Sequence, residues 1–219
     1  MNILSIDTTT SSHSLALYTK NKKKAYIAPQ GSTQSESLFE DINLMLQQEG
    51  IQYSDLNIIL CNIGPGSFTG IRIGIAAVRG IKKILPHVNI NGFATLEIIA
   101  YVYSTLRTHL DTQCFYTIIN AFGNEFYIQK FNTNAQEESD INIVSLSSLI
   151  ELAQDSPIIS NDTKIIELFK GLSLDTRLVN YDAETIIKYY LSSPQRAKEV
   201  KPLYIKNPNI HHGAFKQRQ

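Results

Sequence analysis

Residues Ile63–Gly74 read IGPGSFTGIRIG, and they stand between two patterns of different period. The apolar run Leu56–Ile63 predicts a buried strand, and a helical pattern continues from the turn to about Leu85. A strand, a glycine turn and a helix together can present backbone N–H groups to an anion. The turn is not a P-loop, because no Lys-Ser or Lys-Thr pair follows Gly70. It is not the dinucleotide fingerprint either, because its glycines are spaced G-x-G-x-x-x-G.

The predicted helix contains three glycines, although each costs about 0.8–1 kcal/mol relative to alanine. One of its faces carries only small residues and another carries cations. These are Gly70, Gly74 and Ala77 on the first face, and Arg72, Arg79 and Lys83 on the second. The pattern allows two interpretations. The helix packs tightly on its own sheet with solvated charges, or part of this surface contacts a second protein or subunit.

Composition limits the classes of protein to which the chain can belong. Its 219 residues suit one domain or two small lobes, and its 20 basic and 20 acidic residues give no net charge. Bulk electrostatics therefore predict no affinity for nucleic acid or membranes. Cys61 and Cys114 lie in apolar runs, as expected of buried thiols in a reducing compartment. No secretory signal or membrane span is recognisable, so we expect a cytoplasmic protein without a membrane partner.

The order of elements in the first half narrows the fold. Strand patterns at Asn2–Asp7, His13–Thr19 and Lys24–Ala28 predict an antiparallel meander. A helix with capping-box spacing at Thr33–Glu36 follows and ends at Gly50. After the central strand and the glycine-rich helix come a short strand, residues 88–91, and a helix, residues 95–107. This order is the one that a ribonuclease H-like lobe requires.

The second half begins similarly but has shorter elements. A hairpin is predicted from Phe115–Asn120 and Glu125–Phe131, and the acid-rich residues 134–140 predict an exposed loop. Short helices at 146–154, 163–170 and 184–191 alternate with strands at 158–159 and 178–179. We therefore predict an α/β fold of two ribonuclease H-like lobes, the second one reduced. The predicted divisions are an N-terminal lobe, 1–108, a reduced lobe, 109–195, and a basic tail, 196–219.

Three segments resemble the TsaB (YeaZ) family, whose members are needed to make threonylcarbamoyladenosine in tRNA. They are Asp7–Thr10 with the following Ser14–Leu17, Gly64–Gly74, and Pro202–Pro208. The resemblance covers the first lobe nearly throughout and the second patchily, and it implies an actin/Hsp70/sugar-kinase-like fold. Gln34 and Phe122 depart from it, since the family usually has histidine and arginine there. No catalytic or charge-pairing role is expected at those two positions.

The resemblance implies a non-catalytic partner of the threonylcarbamoyl transferase. Such a subunit pairs with TsaD through its first helix and its glycine-rich helix, or with itself as a homodimer when alone. The TsaB–TsaD pair recruits the small ATPase TsaE. The expected interface residues are Leu38, Ile42, Met45, Gly70, Arg72, Gly74, Ala77 and Arg79.

The titratable side chains predict no intrinsic catalytic or metal site. The five histidines form no H-x-x-x-H pair, whereas TsaD, the catalytic relative, carries such a metal site. Candidates for a nucleotide or phosphate contact are Asp7, Thr8, Thr9, Gly64 and Gly66. In actin-like ATPases an aspartate placed like Asp7 works with Mg²⁺ and nucleotide. The alternative role of Asp7 is to cap the turn by accepting hydrogen bonds from Thr9 or Thr10. Any ATP or ADP with magnesium is expected at the interface of the assembled complex.

The C-terminal segment is the candidate for tRNA contact. Residues 196–219 carry six basic residues against one acid, and Tyr204 could stack on a base. The candidate contacts are Lys201, Lys206, Lys216 and Arg218. The alternative is a terminus that merely drapes over the surface.

Two other functions compete with the partner role. One is an independent ATP-using enzyme of the sugar-kinase type, although the second lobe has no clear glycine-rich adenosine loop. The other is a peptidase, for which the sequence offers neither a metal constellation nor an activated nucleophile.

Overall fold

Two five-stranded mixed sheets form the frame of the chain in the computed structural model. The structure describes residues 1–10, 12–19, 22–27, 34–106, 113–121, 123–152, 156–172 and 174–205. Helices cover the outer face of each sheet and fill the space between them. The α/β fold of two ribonuclease H-like lobes is confirmed by this topology.

The first sheet has the predicted order. Its elements are β1 (Asn2–Asp7), β2 (Ser14–Thr19), β3 (Lys22–Ile27), α1 (Gln34–Gln48), β4 (Ile58–Gly64), α2 (Phe68–Ile84), β5 (Asn89–Ala94) and α3 (Thr95–Thr105). The strands lie in the order β3-β2-β1-β4-β5. The meander β1-β2-β3 is antiparallel, and β4 and β5 are added in parallel to β1. Because β4 pairs with β1, the loops after these two strands meet at one edge of the sheet.

The second sheet repeats the first with shorter strands. Its elements are β6 (Cys114–Asn120), β7 (Glu125–Asn132), β8 (Asn142–Ser145), α4 (Leu146–Leu152), β9 (Ile158–Ser160), α5 (Thr163–Lys170), β10 (Thr176–Leu178) and α6 (Ala183–Ser192). The order β10-β9-β6-β7-β8 matches that of the first sheet. The reduction lies in strand length, since β9 has 3 residues and its counterpart β4 has 7. Strand β8 was not predicted from the sequence.

The core has one layer of helices on each outer face and one in the middle. Helices α1 and α2 bury apolar side chains on one face of the first sheet. Helix α6 packs on the other face of that sheet, and α3 lies between the two sheets. Helices α4 and α5 cover the far face of the second sheet.

Helix α6 returns to the first sheet although it follows the second sheet in the chain. Asp182 caps its N-terminus by accepting a hydrogen bond from the Thr185 backbone N–H at 3.0 Å. After it, Lys198 exchanges two backbone hydrogen bonds with Gly92 of β5, each 2.8 Å long. The predicted lobe boundaries at 108 and 195 stay predictions, and the chain after α6 contributes to the packing of the first sheet.

Candidate functional site

A polar cleft of about 650 Å³ lies between the two sheets. The loops after β1 and β4 line one wall, and the loops after β6 and β9 line the other. The carboxyl ends of parallel strands are where ligands bind in open α/β sheets, so both lobes contribute the expected edge. The lining residues are Thr9, Thr10, Pro65, Gly66, Ser67, Thr95, Ile119, Asn120, Asn161, Asp162, Thr163, Lys164 and Tyr181.

The carboxylate of Asp7 is buried beneath this cleft and is bonded by its own turn. Its Oδ1 accepts a hydrogen bond from the Thr9 backbone N–H at 3.0 Å and another from the Thr9 hydroxyl at 2.6 Å. Burial raises the pKa of the Asp7 carboxyl, and the bonds from Thr9 offset part of that rise. Asp7 therefore has the turn-capping geometry that was one of its two predicted roles.

Asn62 and Tyr181, which were not predicted from the sequence, complete the hydrogen-bond network around Thr9. Asn62 of β4 donates through Nδ2 to the Thr9 hydroxyl at 3.2 Å and to the Tyr181 hydroxyl at 3.4 Å. Its Oδ1 accepts from the Gly64 backbone N–H and from the Thr95 hydroxyl, each at 3.0 Å. The only signal for Asn62 in the sequence is an amide inside an apolar strand.

This geometry does not fit a magnesium–nucleotide site centred on Asp7. The Asp7 side chain is not part of the cleft lining, and one of its oxygens is already saturated by Thr9. Asp162 does line the cleft, but its Oδ1 accepts the Lys164 backbone N–H at 2.9 Å as the N-cap of α5. In the part of the chain that the structure describes, no group of three or more His, Cys, Asp or Glu residues could hold a metal ion.

One backbone and one side-chain hydrogen bond hold the glycine turn and the start of α2 against the loop that follows β1. The Ser67 backbone N–H donates to the Thr9 carbonyl at 2.9 Å, and the Thr8 hydroxyl donates to the Gly70 carbonyl at 2.7 Å. Gly64 has a φ of +97°, a conformation that favours glycine. A Cβ on Gly66 would lie 2.9 Å from the Thr9 carbonyl oxygen. The backbone N–H groups of Gly64 and Ser67 are thus used within the protein and cannot bind a phosphate.

The small-residue face of α2 packs against its own subunit, which corrects the prediction that it contacts a partner. Gly70, Gly74 and Ala77 are all buried in the protein. A Cβ on Gly74 would lie 2.4 Å from the Thr8 hydroxyl oxygen. The close approach that the glycines predicted is real, but the neighbour is the β1 loop.

The prediction for α1 needs the same correction. Leu38, Ile42 and Met45 are buried in the core of the first sheet, so they belong to its interior and not to a surface. Of the predicted interface residues, Arg72 and Arg79 are exposed. The structure does not test whether they contact a partner.

A different face of α1 and α2 is exposed and apolar. Phe39 of α1 is 47 % exposed and Ile84 of α2 is 79 % exposed. Together with Tyr53 they line a groove of about 340 Å³ between the two helices. A Cβ on Gly80, on the outward side of α2, would meet no atom within 4 Å. Nothing in the described chain explains a glycine there.

The predicted tRNA contacts lie partly outside the described residues. Lys201 is exposed, and its Nζ lies 2.9 Å from an oxygen of Glu199. Lys206, Lys216 and Arg218 fall outside the described ranges, as do Phe122 and the side chain of Gln34. Within the described residues, no helix combines the length and apolar character needed to cross a membrane.

Comparison with known proteins gives a consistent result. A family model described as TsaD, tRNA N6-adenosine threonylcarbamoyltransferase, matches residues 21–152. The TsaB protein of Escherichia coli K12, named for tRNA threonylcarbamoyladenosine biosynthesis, is 31% identical over 98 residues, which are 44% of this chain and 42% of that protein. TsaB of Buchnera aphidicola subsp. Schizaphis graminum is 26% identical over 207 residues, which are 90% of this chain and 96% of that protein.

Solved structures show the same fold. YeaZ from Pseudomonas aeruginosa superposes with a TM-score of 0.72 at 18% identity, covering 93% of this chain and 99% of that chain. A second structure, described as similar to the peptidase YEAZ from the same organism, gives 0.73 at 18% identity over 94% and 99%. At this identity the likeness establishes the fold alone.

Proposed function

Because the chain belongs to the TsaD family and, within it, to the TsaB (YeaZ) proteins, we propose that it is a non-catalytic partner subunit of the tRNA threonylcarbamoyl transferase. It pairs with TsaD through helices of its first lobe and so supports the formation of threonylcarbamoyladenosine in tRNA. The observation that carries this proposal is the exposed apolar face formed by Phe39 of α1, by Gly80 and Ile84 of α2, and by Tyr53 of the turn between α1 and β4.

The chemistry of this face suits a helix of another protein. Burying a large apolar side chain fully contributes about 1.5–3 kcal/mol, so Phe39 and Ile84 alone can supply a useful part of a binding energy. Gly80 leaves room for a close backbone approach, and its cost of about 0.8–1 kcal/mol in an isolated helix has no other explanation here. In the absence of TsaD the same face can pair with a second copy of the chain.

The non-catalytic part of the proposal is supported by the cleft. One oxygen of Asp7 is bonded by its own turn, and the N–H groups of Gly64 and Ser67 are bonded within the protein. We propose that nucleotide and magnesium bind only in the assembled complex, to which TsaE is recruited. This complex then acts on tRNA.

Substitutions on the proposed face, compared with a matched control substitution elsewhere, test the pairing with TsaD. Phe39→Glu and Ile84→Glu each place a charge on the proposed face and are expected to weaken TsaD binding at least tenfold in a calorimetric titration. Leu168→Glu on α5 is the control, because Leu168 is a helical leucine of similar exposure, 45 %, on the second lobe. The proposal fails if both variants of the face bind TsaD as the unmodified chain does.

The second candidate function is that of an independent ATP-binding enzyme of the sugar-kinase-like fold, and the cleft is the observation that favours it. Its size and the presence of Lys164 favour a small-molecule ligand. That function predicts that the isolated chain binds ATP–Mg²⁺ and that Lys164→Ala, which removes a cation from the cleft lining, weakens the binding. The partner role predicts a binding heat only after TsaD is added.

A further inference from the structure

A preorganised cluster of one arginine and two aromatic rings lies at the N-terminal end of α2. The Arg72 guanidinium carbon lies 3.7 Å from the centroid of the Phe68 ring, and Arg72 Nε donates to the Tyr204 hydroxyl at 3.1 Å. The two rings themselves are 6.2 Å apart. We call these three residues the Arg72 cluster. The stacked geometry fixes the guanidinium without using its terminal nitrogens.

The cluster faces solvent. Phe68 is 44 % exposed and Tyr204 is 52 % exposed, and Arg72 is exposed as well. Across the described residues, no carboxylate forms an ion pair with Arg72, although its Nη groups are the natural donors to one. Two exposed rings around an unpaired guanidinium are features of a binding surface, since each exposed ring leaves apolar area in water.

Further cations continue from the cluster along the same side of α2. Arg79 and Lys83 follow Arg72 at i+7 and i+11, so the row is about 16 Å long at 1.5 Å per residue. Lys201 lies beside this row, because Glu199 contacts both Arg79 Nη2 at 4.0 Å and Lys201 Nζ at 2.9 Å. Among the described residues, four cations and one acid thus gather on this side of α2, in a chain whose net charge is zero.

We propose that this surface binds a single-stranded segment of RNA. A line of cations matches an extended polyanion, in which phosphates repeat along the strand. The rings of Phe68 and Tyr204 and the plane of the Arg72 guanidinium offer stacking surfaces for unpaired bases. An acidic protein segment would also satisfy the charges, but it would cover the rings only where it carried aromatic side chains, whereas every nucleotide of a single strand has a planar base. This inference rests on the proposed function, in which the complex acts on tRNA.

Fluorescence anisotropy with a labelled 12-nucleotide single-stranded RNA tests this surface on the full chain. Arg72→Gln and Tyr204→Leu are each expected to weaken binding about 5- to 20-fold at 50 mM salt. Arg72→Gln should also lower the salt slope by about 0.7, the value for one lost phosphate contact on a single strand, whereas Tyr204→Leu should leave the slope unchanged. Lys170→Gln, at an exposed lysine on α5, is the control and should change affinity less than twofold.

Three outcomes overturn the proposal. These are the absence of RNA binding at 50 mM salt, equal loss in the Lys170→Gln control, and equal affinity for duplex RNA or polyglutamate. The first two remove the site, and the third replaces base stacking by simple charge attraction. Tyr204→Leu keeps the test valid if Arg72→Gln fails to fold, and Tyr204→Phe, which keeps the ring but loses the bond to Arg72, should lose less affinity than Tyr204→Leu. TsaD binding is measured on the same variants. Its persistence when RNA binding is lost separates this inference from the proposed function.

Discussion

The Thr9 hydroxyl is the centre of the hydrogen-bond network in the loop that follows β1. It donates to Asp7 Oδ1 at 2.6 Å, accepts from Asn62 Nδ2 at 3.2 Å and lies 3.2 Å from the Tyr181 hydroxyl. Thr9→Val keeps the shape but leaves a buried carboxylate and an amide without this partner. We expect a loss of about 2–3 kcal/mol in the free energy of unfolding, measured in urea.

Tyr181→Phe is the matched control for that experiment. It removes one hydroxyl from the same network but leaves Asp7 bonded to Thr9, so a smaller loss of about 1 kcal/mol is expected. Equal losses in the two variants would mean that the Thr9 hydroxyl has no special role in holding Asp7.

In this network, the sequence could predict only hydrogen bonds between residues that are close in the chain. The turn-capping bond from Thr9 to Asp7 spans two residues, and it was among the predicted roles. Asn62 and Tyr181 lie 53 and 172 residues from Thr9, so only the assembled sheets bring them to it. The raised pKa of Asp7 likewise depends on burial, which no single turn determines.

Two glycines of α2, Gly74 and Gly80, have different surroundings and together test how this helix packs. A Cβ on Gly74 meets the Thr8 hydroxyl at 2.4 Å, whereas one on Gly80 meets nothing within 4 Å. Gly80→Ala should raise the free energy of unfolding by up to about 1 kcal/mol through helix propensity. Gly74→Ala should lower it by about 1–3 kcal/mol, because Thr8 must move and lose its bond to Gly70.

A double-mutant cycle identifies the contact that Gly74 makes. Thr8→Ala removes the oxygen that a Cβ on residue 74 would meet, so it should recover part of the loss caused by Gly74→Ala. If the two losses simply add, the steric explanation of Gly74 is wrong.

Periodicity predicted that α2 approaches another backbone but not which one. The glycine spacing identified the face, and the identity of the neighbour required the pairing of β1 with β4, which brings Thr8 beside the helix. Strand β8 was missed because its four residues follow an acid-rich segment and none of them is fully buried. Short, half-exposed strands of this kind carry no clear alternation.

At the scale of the whole molecule, one charged cluster links the two sheets. Glu97 of α3 is 1 % exposed and bonds to Lys198, which follows α6. Lys198 Nζ also lies 3.3 Å from Glu137, which follows β7 in the second sheet. Arg196, which donates to the Ala135 carbonyl at 2.6 Å, stands nearby. The sequence showed each of these charges, but only the return of α6 brings them together.

The titration of Glu97 in this cluster makes the free energy of unfolding depend on pH. Burial, reinforced by a hydrogen bond with Glu137 and partly opposed by Lys198, raises the pKa of Glu97 to about 8, from an ordinary value of 4.5. The folded chain keeps this proton while the unfolded chain releases it, so the contribution of Glu97 to stability is full below pH 4.5 and is lost as the pH rises to 8. The bond with Glu97 lowers the pKa of Glu137, so the contribution of Glu137 to stability is lost only at acid pH.

The substitution Glu97→Gln tests this pH dependence, because glutamine keeps the shape of the protonated carboxyl and cannot titrate. Relative to the unmodified chain, it should gain about 2–4 kcal/mol in urea unfolding between pH 5 and pH 8, at 1.36 kcal/mol per pKa unit. Glu138→Gln, which removes an exposed carboxylate from the same segment as Glu137, is the control. A Glu97→Gln difference that stays constant with pH would show that Glu97 is already ionised in the folded chain.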